Sequence, residues 1–332
     1  MSNDTRTPLG NRKPDPATAP DALTGRGRRT VHLGDLLFGG SARASGLVIV
    51  VVVLIIGTFL LGNAWQPLLD NTANFFTSTT FDSSSRPPHF GVAALLWTTV
   101  LSSVIALLVA VPVAIGIALL LTQYVGGGFS RWIGFVIDLL AAVPSVIFGL
   151  WGIKVLGPAL QPVAHWLQAH LGWFPLFGST QVTSPGTVFT ASLVLALMIL
   201  PIITAVTRDV FAQTPREQIE AALALGATRW ETIRMAVLPY GRSGATAAAM
   251  LGLGRALGET IAVMLILSAS SFDVSVFSGG ETFASVIARN AAEFDTTYKA
   301  GIYISAGLVL FVLTFAVNAL ARVVAERGKA KS

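Results

Sequence analysis

Two ionisable residues stand inside an otherwise apolar stretch. The segment GATAAAMLGLGRALGETIAVMLILSAS carries Arg255 and Glu259 four residues apart. On a continuous helix that spacing places both on one face. A charge near the middle of a bilayer costs about 3 kcal/mol on insertion scales, so such residues face a bundle interior or a water-filled path. The chemistry on offer is electrostatic. Arg255 would supply positive charge to a passing anion, and Glu259 would neutralise and orient Arg255 when no anion is present. Thr260 and Ser268 would add hydroxyl donors. The plainer alternative is an internal ion pair that touches no substrate. Gly254 and Gly258 form a G-x-x-x-G step, and Ala248 and Gly252 a second small pair, so a neighbouring helix can approach closely.

These residues need a membrane around them, and the composition supplies one. The chain has 332 residues, 53% hydrophobic and 12% charged, about half the charge of a soluble domain. A soluble enzyme and a disordered chain are both excluded. The formal charge of +5 reads as basic cytoplasmic loops rather than nucleic-acid binding. With no cysteine, disulfides, thiolate catalysis and iron–sulfur clusters are ruled out. The four histidines are scattered, so no metal site is expected.

Stretches of roughly 20 apolar residues occur at about 44–62, 92–122, 133–157, 188–207, 245–270 and 301–321. The third contains Asp138, Pro144 and Lys154, so a broken or re-entrant segment is its alternative. The expected fold is all-α and polytopic, with six spans over 44–325. A cytoplasmic tail over 1–43, disordered through 1–30, precedes it, and a short cytoplasmic tail over 326–332 follows. Most of the 22 basic residues fall in the two tails and in the loops after spans two and four, against only Arg86, Arg289 and Lys299 in the opposite loops. That bias places both termini in the cytoplasm of a multi-pass cell-membrane protein. In span three, Pro144 and Ser145 mark a kink that could act as a hinge. Asp138 reads either as part of a gate or as an interfacial residue paired with Arg131.

The loop 208–244 is the longest on the inner side. Thr214, Pro215 and Glu217 form a helix-start signature. One helix is expected over 215–225, a turn at Gly226, and a second helix over 228–237 ended by Pro239. On pattern alone this is an amphipathic hairpin lying on the membrane or a docking element. In the second case Ala221, Ala222 and Ala224 keep the helix narrow, with Glu220 and Arg229 at its rim.

The spacing Glu220-Ala221-Ala222, Gly226, Leu238-Pro239 resembles the EAA loop of ABC-importer permeases, with Ala236 where that family often has Ile. The resemblance implies the type I importer permease fold and a coupling helix inserted into a separate ATPase. GLGRALGET in span five, and Asp138 with Val-Pro144-Ser145 and a following aromatic-Gly in span three, are similar to the phosphate-importer permeases, the PstC/PstA group. The long first outer loop and the preceding tail are more similar to PstC. The resemblance implies a phosphate pathway past Arg255, Glu259 and Thr260. It also implies a second permease subunit (PstA-like), two ATPase subunits (PstB-like) that use ATP and Mg, and an extracytoplasmic phosphate-binding protein (PstS-like). No G-x-x-x-x-G-K-[ST] loop occurs in the chain, so it is expected to be a non-catalytic membrane subunit with no cofactor of its own. Two other readings stay open: a secondary anion transporter or channel using the Arg255–Glu259 pair, and an ABC permease for sulfate or molybdate.

Overall fold

A computed structural model of the chain describes residues 33–85, 87–178, 182 and 184–329. The disordered tail expected over 1–30 lies outside them, as do residues 330–332. The chain divides into two units, one up to Leu54 and one from Ile55 onward.

Helix α1 (Leu33–Asp70) is followed by a two-residue hairpin, β1 (Phe81–Asp82) and β2 (His89–Phe90). Then come α2 (Ala93–Leu119), α3 (Gly127–Ala141), α4 (Ser145–Trp151), α5 (Gly157–Leu171), α6 (Pro175–Gly178) and α7 (Val188–Ala212). The remaining helices are α8 (Arg216–Ala224), α9 (Arg229–Thr232), α10 (Leu238–Leu257), α11 (Ile261–Ile266), α12 (Phe283–Arg289) and α13 (Thr297–Lys329). The short strands pair Phe81 with Phe90 and Asp82 with His89. The Asn71 side chain holds that hairpin in place, donating to the Phe90 carbonyl and accepting from the Phe90 N–H.

Among the described residues, five helices are long and apolar enough to cross a membrane: Gly40–Asp70, Ala93–Tyr124, Ser145–Leu171, Val188–Ala212 and Thr297–Leu320. The expected span at 245–270 is not among them. It is split into α10 and α11 at Gly258–Thr260: α11 has only six residues, and α10, with 20, carries Arg242 and Arg255 and is not apolar enough to count. The first span is longer than the expected 44–62, because the helix continues to Asp70 with Pro67 only in its last turn.

The core follows from small residues at helical spacing. Ala106, Ala110 and Ala114 of α2 are fully buried against Ala191, Leu195 and Ile199 of α7. Alanine every fourth residue clears one face of a helix and lets its neighbour close in. On its other side α7 meets α10. A side chain at Gly241 would strike the Phe211 ring, and one at Gly252 would come within 2.7 Å of Ile203. Close packing with α7 thus uses Ala248 and Gly252, whereas Gly254 has open space around it.

Span three is broken after Ala141, and α4 restarts at Ser145 behind Pro144. Its depth can be read from α7. Gly134 lies against the Arg208 side chain, and Gly152 against Val194. Those two positions on α7 are about 21 Å apart at 1.5 Å per residue. Gly157 already abuts Pro185, which precedes α7. Length and composition alone select Ser145–Leu171 as the crossing segment. The contacts from Gly134 to Gly157 run along the length of α7, and α5 continues past them, where Ala164 packs with Val182, Val276 and Phe277.

Candidate functional site

Two places bring the sequence-predicted residues together. The first is the hairpin α8–α9. Its first helix starts one residue later than expected. Pro215 is the N-cap, and the Thr214 hydroxyl donates to the Phe211 carbonyl rather than capping α8. Gly226 sits at φ +82°, the left-handed region open to glycine. The Gly226 N–H donates to the Leu223 carbonyl and the Ala227 N–H to the Ala222 carbonyl. This is the paired pattern that closes a helix C-terminus. Thr228 then opens α9 with a reciprocal cap: its hydroxyl accepts from the Glu231 N–H, and its own N–H donates to the Glu231 carboxylate. Those two donors, N–H and hydroxyl of Thr228, hold the Glu231 carboxyl below its ordinary range.

Pro239 does not end the second helix. A π-helical turn spans Ile233–Val237, in which the Leu238 N–H reaches back five residues to Ile233. The wider turn seats Pro239, which has no N–H to donate, in the first turn of α10, and the rod continues to Leu257. Leu238 and Pro239 line a cleft of about 470 Å³ with Val111, Ile115, Phe211 and Arg242.

Glu220 and Ala221 are exposed on the hairpin, as is Arg229. Ala222 is not: it is the buried residue of α8. The motif's second alanine therefore seats the hairpin and its first alanine faces out. Sequence reasoning missed the apolar patch at the tip, Leu223, Leu225 and Trp230, with Leu225 84% exposed. Its signal was available, since a Leu directly before a left-handed glycine is carried on the outside of the turn.

The second place is the break in span five. Arg255 lies in the last turn of α10, which ends at Leu257. The shared helical face expected for Arg255 and Glu259 is lost at Gly258, and no ion pair joins the two residues. Arg255 is exposed and, among the described residues, has no acidic partner. Glu259 is half-buried, and its carboxylate accepts from the Ala262 N–H at 3.3 Å, at the start of α11. The Thr260 hydroxyl donates to the Gly258 carbonyl at 3.1 Å. Ala247, Leu251, Arg255 and Gly258 form one exposed face of α10.

The two broken spans meet. A side chain at Gly149 of α4 would lie 2.9 Å from Ala262 of α11, and Gly152 faces Ile266. The helices run in parallel, and both begin shortly before that contact, α4 at Ser145 and α11 at Ile261. The breaks at Pro144 and at Gly258–Thr260 thus lie on the same side of the α4–α11 contact. Asp138 stands apart on α3, exposed and without an ion pair to Arg131 among the described residues.

Beyond the break, α11 ends under Arg289. Its guanidinium donates to the carbonyls of Met264 and Leu267, at 3.1 and 2.9 Å, and pairs with Glu281 at 2.8 Å. Burial raises the Glu281 carboxyl above its ordinary range, and the charge of Arg289 pulls it partly back.

Residues 110–329 match the family described as binding-protein-dependent transport system inner membrane component. The chain is 55% identical over 316 residues to a Mycobacterium tuberculosis protein named phosphate transport system permease protein PstC 2, covering 94% of this chain and 97% of that one. It is 54% identical over 317 residues to the Mycobacterium leprae protein named phosphate transport system permease protein PstC, covering 94% and 97%. Its fold resembles a chain of the bacterial alginate ABC transporter in complex with a periplasmic protein bound to an alginate pentasaccharide, with a TM-score of 0.56 at 14% identity over 90% of this chain and 98% of that one. The fold is therefore that of ABC importer permeases, and the chain belongs to the binding-protein-dependent transport system inner membrane components, within the PstC permeases.

Proposed function

We propose that this chain is the membrane permease subunit of an ATP-driven importer of inorganic phosphate, forming half of the translocation pathway. The observation that carries the phosphate assignment is the match, over nearly the full length of both chains, to relatives named for phosphate transport. The site supports the same reading. Arg255 is a cation on an exposed face of α10, three residues before the break at Gly258, and the break in span three lies on the same side of the α4–α11 contact. Broken helices at the depth of a charge are how transport pathways expose backbone polar groups to a substrate.

In this reading the face of Ala247, Leu251, Arg255 and Gly258 meets a second permease subunit, PstA-like, and phosphate passes between the two. Gly254 and Gly258, left open by this chain's own helices, give that subunit room to approach. The hairpin tip, with Glu220, Ala221, Leu225 and Trp230, enters one of two PstB-like ATPase subunits. ATP and Mg belong to those subunits, and this chain is non-catalytic. Closure of the ATPases on ATP pushes the hairpin, which is continuous with α10 through the π turn. The push reaches the break at Gly258–Thr260 and switches the pathway from inward-open to outward-open. A PstS-like binding protein delivers phosphate from the opposite side. The density of basic residues in loop 208–244 supports a cytoplasmic hairpin and cytoplasmic termini in a bacterial cell membrane.

Uptake of labelled phosphate tests this. Uptake should stop on ATP depletion, survive an uncoupler, and resist competition by excess sulfate. Collapse with the uncoupler would replace the reading with secondary transport.

A further inference from the structure

Arg289 lies far from Arg255 in sequence, and nothing in the transport cycle above uses it. Its setting is nonetheless built. Helix α12, which carries it, is fixed at its start. The Thr282 hydroxyl accepts from the Ser285 N–H, and the Phe283 N–H donates to the Thr99 hydroxyl of α2. Phe283 is fully buried with Leu95 of α2 and with Tyr303 and Ala306 of α13. Helices α2, α12 and α13 are thereby one packed body.

Helix α11 is six residues long and cannot hold itself together. A helix of that length leaves most of its carbonyls without internal partners. At its C-terminus the Nη2 of Arg289 donates both to the Met264 carbonyl and to that of Leu267, the residue that caps α11, while Nε pairs with Glu281 on the other side of the guanidinium. Charge-assisted bonds of this kind are about twice as strong as neutral ones, and a cation suits a helix C-terminus. Glu281 is held in turn, since the adjacent Gly280 N–H donates to the Ser268 carbonyl just past α11.

We propose that Arg289, oriented by Glu281, is a positioning residue that clamps the C-terminal half of the broken span to the α2–α12–α13 body, so that movement across Gly258–Thr260 is carried by α10 alone. The clamp also fixes α4, which packs on α11 through Gly149 and Gly152. This assignment rests on the transport reading for its consequence but not for its geometry.

The test uses the assembled transporter in lipid nanodiscs, with hydrogen exchange of residues 261–267 as the primary readout. Arg289→Ala should speed exchange there on the order of tenfold, with α7 unchanged. Arg289→Lys should speed it by less, since an ammonium still donates to a carbonyl but offers no separate Nε for Glu281 to hold. In both variants ATP hydrolysis should become less responsive to phosphate-loaded binding protein while basal hydrolysis is kept. The swap Glu281→Arg with Arg289→Glu should not rescue, because a carboxylate at 289 cannot donate to carbonyls. Unchanged exchange over 261–267 in Arg289→Ala, or rescue by the swap, overturns the clamp. If Arg289→Ala fails to assemble, Arg289→Lys decides on the same readout. Failure of wild-type phosphate uptake would instead strike the transport reading and leave the exchange result standing.

Discussion

The chain turns at Gly226 and again at Gly258, and the two turns are built to opposite standards. At Gly226 the backbone is closed from both sides: two carbonyls of α8 are satisfied by the Gly226 and Ala227 N–H groups, and α9 starts on a reciprocal cap. At Gly258 no such paired closure forms: the Gly258 N–H donates to the Gly254 carbonyl and the Glu259 N–H to that of Ala256, and α11 is started by one carboxylate with no reciprocal cap. An element that delivers a push must not yield, whereas one that opens a path must. The difference in hydrogen bonding separates a lever from a hinge.

Experiments can break this comparison. The largest effect is expected at the hinge: Arg255→Gln should abolish phosphate uptake with assembly retained, and wild-type uptake by a stably expressed variant would remove the pathway role. Next is the lever's rim. Glu220→Lys should uncouple ATP hydrolysis from uptake while membrane insertion stays intact, measured by hydrolysis and uptake on one preparation. The two glycines then give the sharpest contrast. Gly226→Ala places a side chain at φ +82° and should destabilise the hairpin by about 1 kcal/mol, read as a lower melting temperature and weaker ATPase association. Gly258→Ala meets only ordinary contact, 3.6 Å from the Gly254 carbonyl, at a normal φ of −95°. It should leave stability unchanged or raise it, yet slow transport several-fold by stiffening the break. Equal behaviour of the two alanine variants would end the distinction between lever and hinge. The smallest effect concerns pH. Because the folded-state pKa of Glu231 is lowered, its cap contributes above the unfolded carboxyl pKa and is lost as pH falls through the folded value. Exchange of the α9 amides should rise only at acid pH, and Thr228→Ala should remove that dependence.

Much of this was legible in the sequence, and the limits have physical causes. The crossings of α2, α7 and α13 needed only length and hydropathy. The turn at Gly226 and the kink at Pro144 were announced by residues with restricted or permissive backbones. The break at Gly258 was not, because Gly-Glu-Thr inside an apolar run also fits an unbroken helix. Pro239 misled in the other direction: a proline stops a helix only where the fourth preceding carbonyl needs its N–H, and the π turn removes that demand. The clamp of Arg289 was out of reach. Its partners lie 8, 22 and 25 residues away in sequence, and no local pattern ties an arginine at the end of one short helix to the end of another.

The π turn at Ile233–Val237 has a geometric consequence for the rod that follows it. One surplus residue in a helix advances everything downstream by about 100° around the axis. In this chain that rotation is what points Ala248, Gly252 and Ala256 at α7 and leaves Arg255 on the open side. Winding 233–237 as an ordinary α-helix without removing a residue would turn the whole of α10 out of phase, putting Arg255 where Ala256 now sits and exposing the seam that should pack, whereas deleting one residue there would remove the π turn and leave that phase unchanged. The turn thus sets the aim of a charge some twenty residues beyond it.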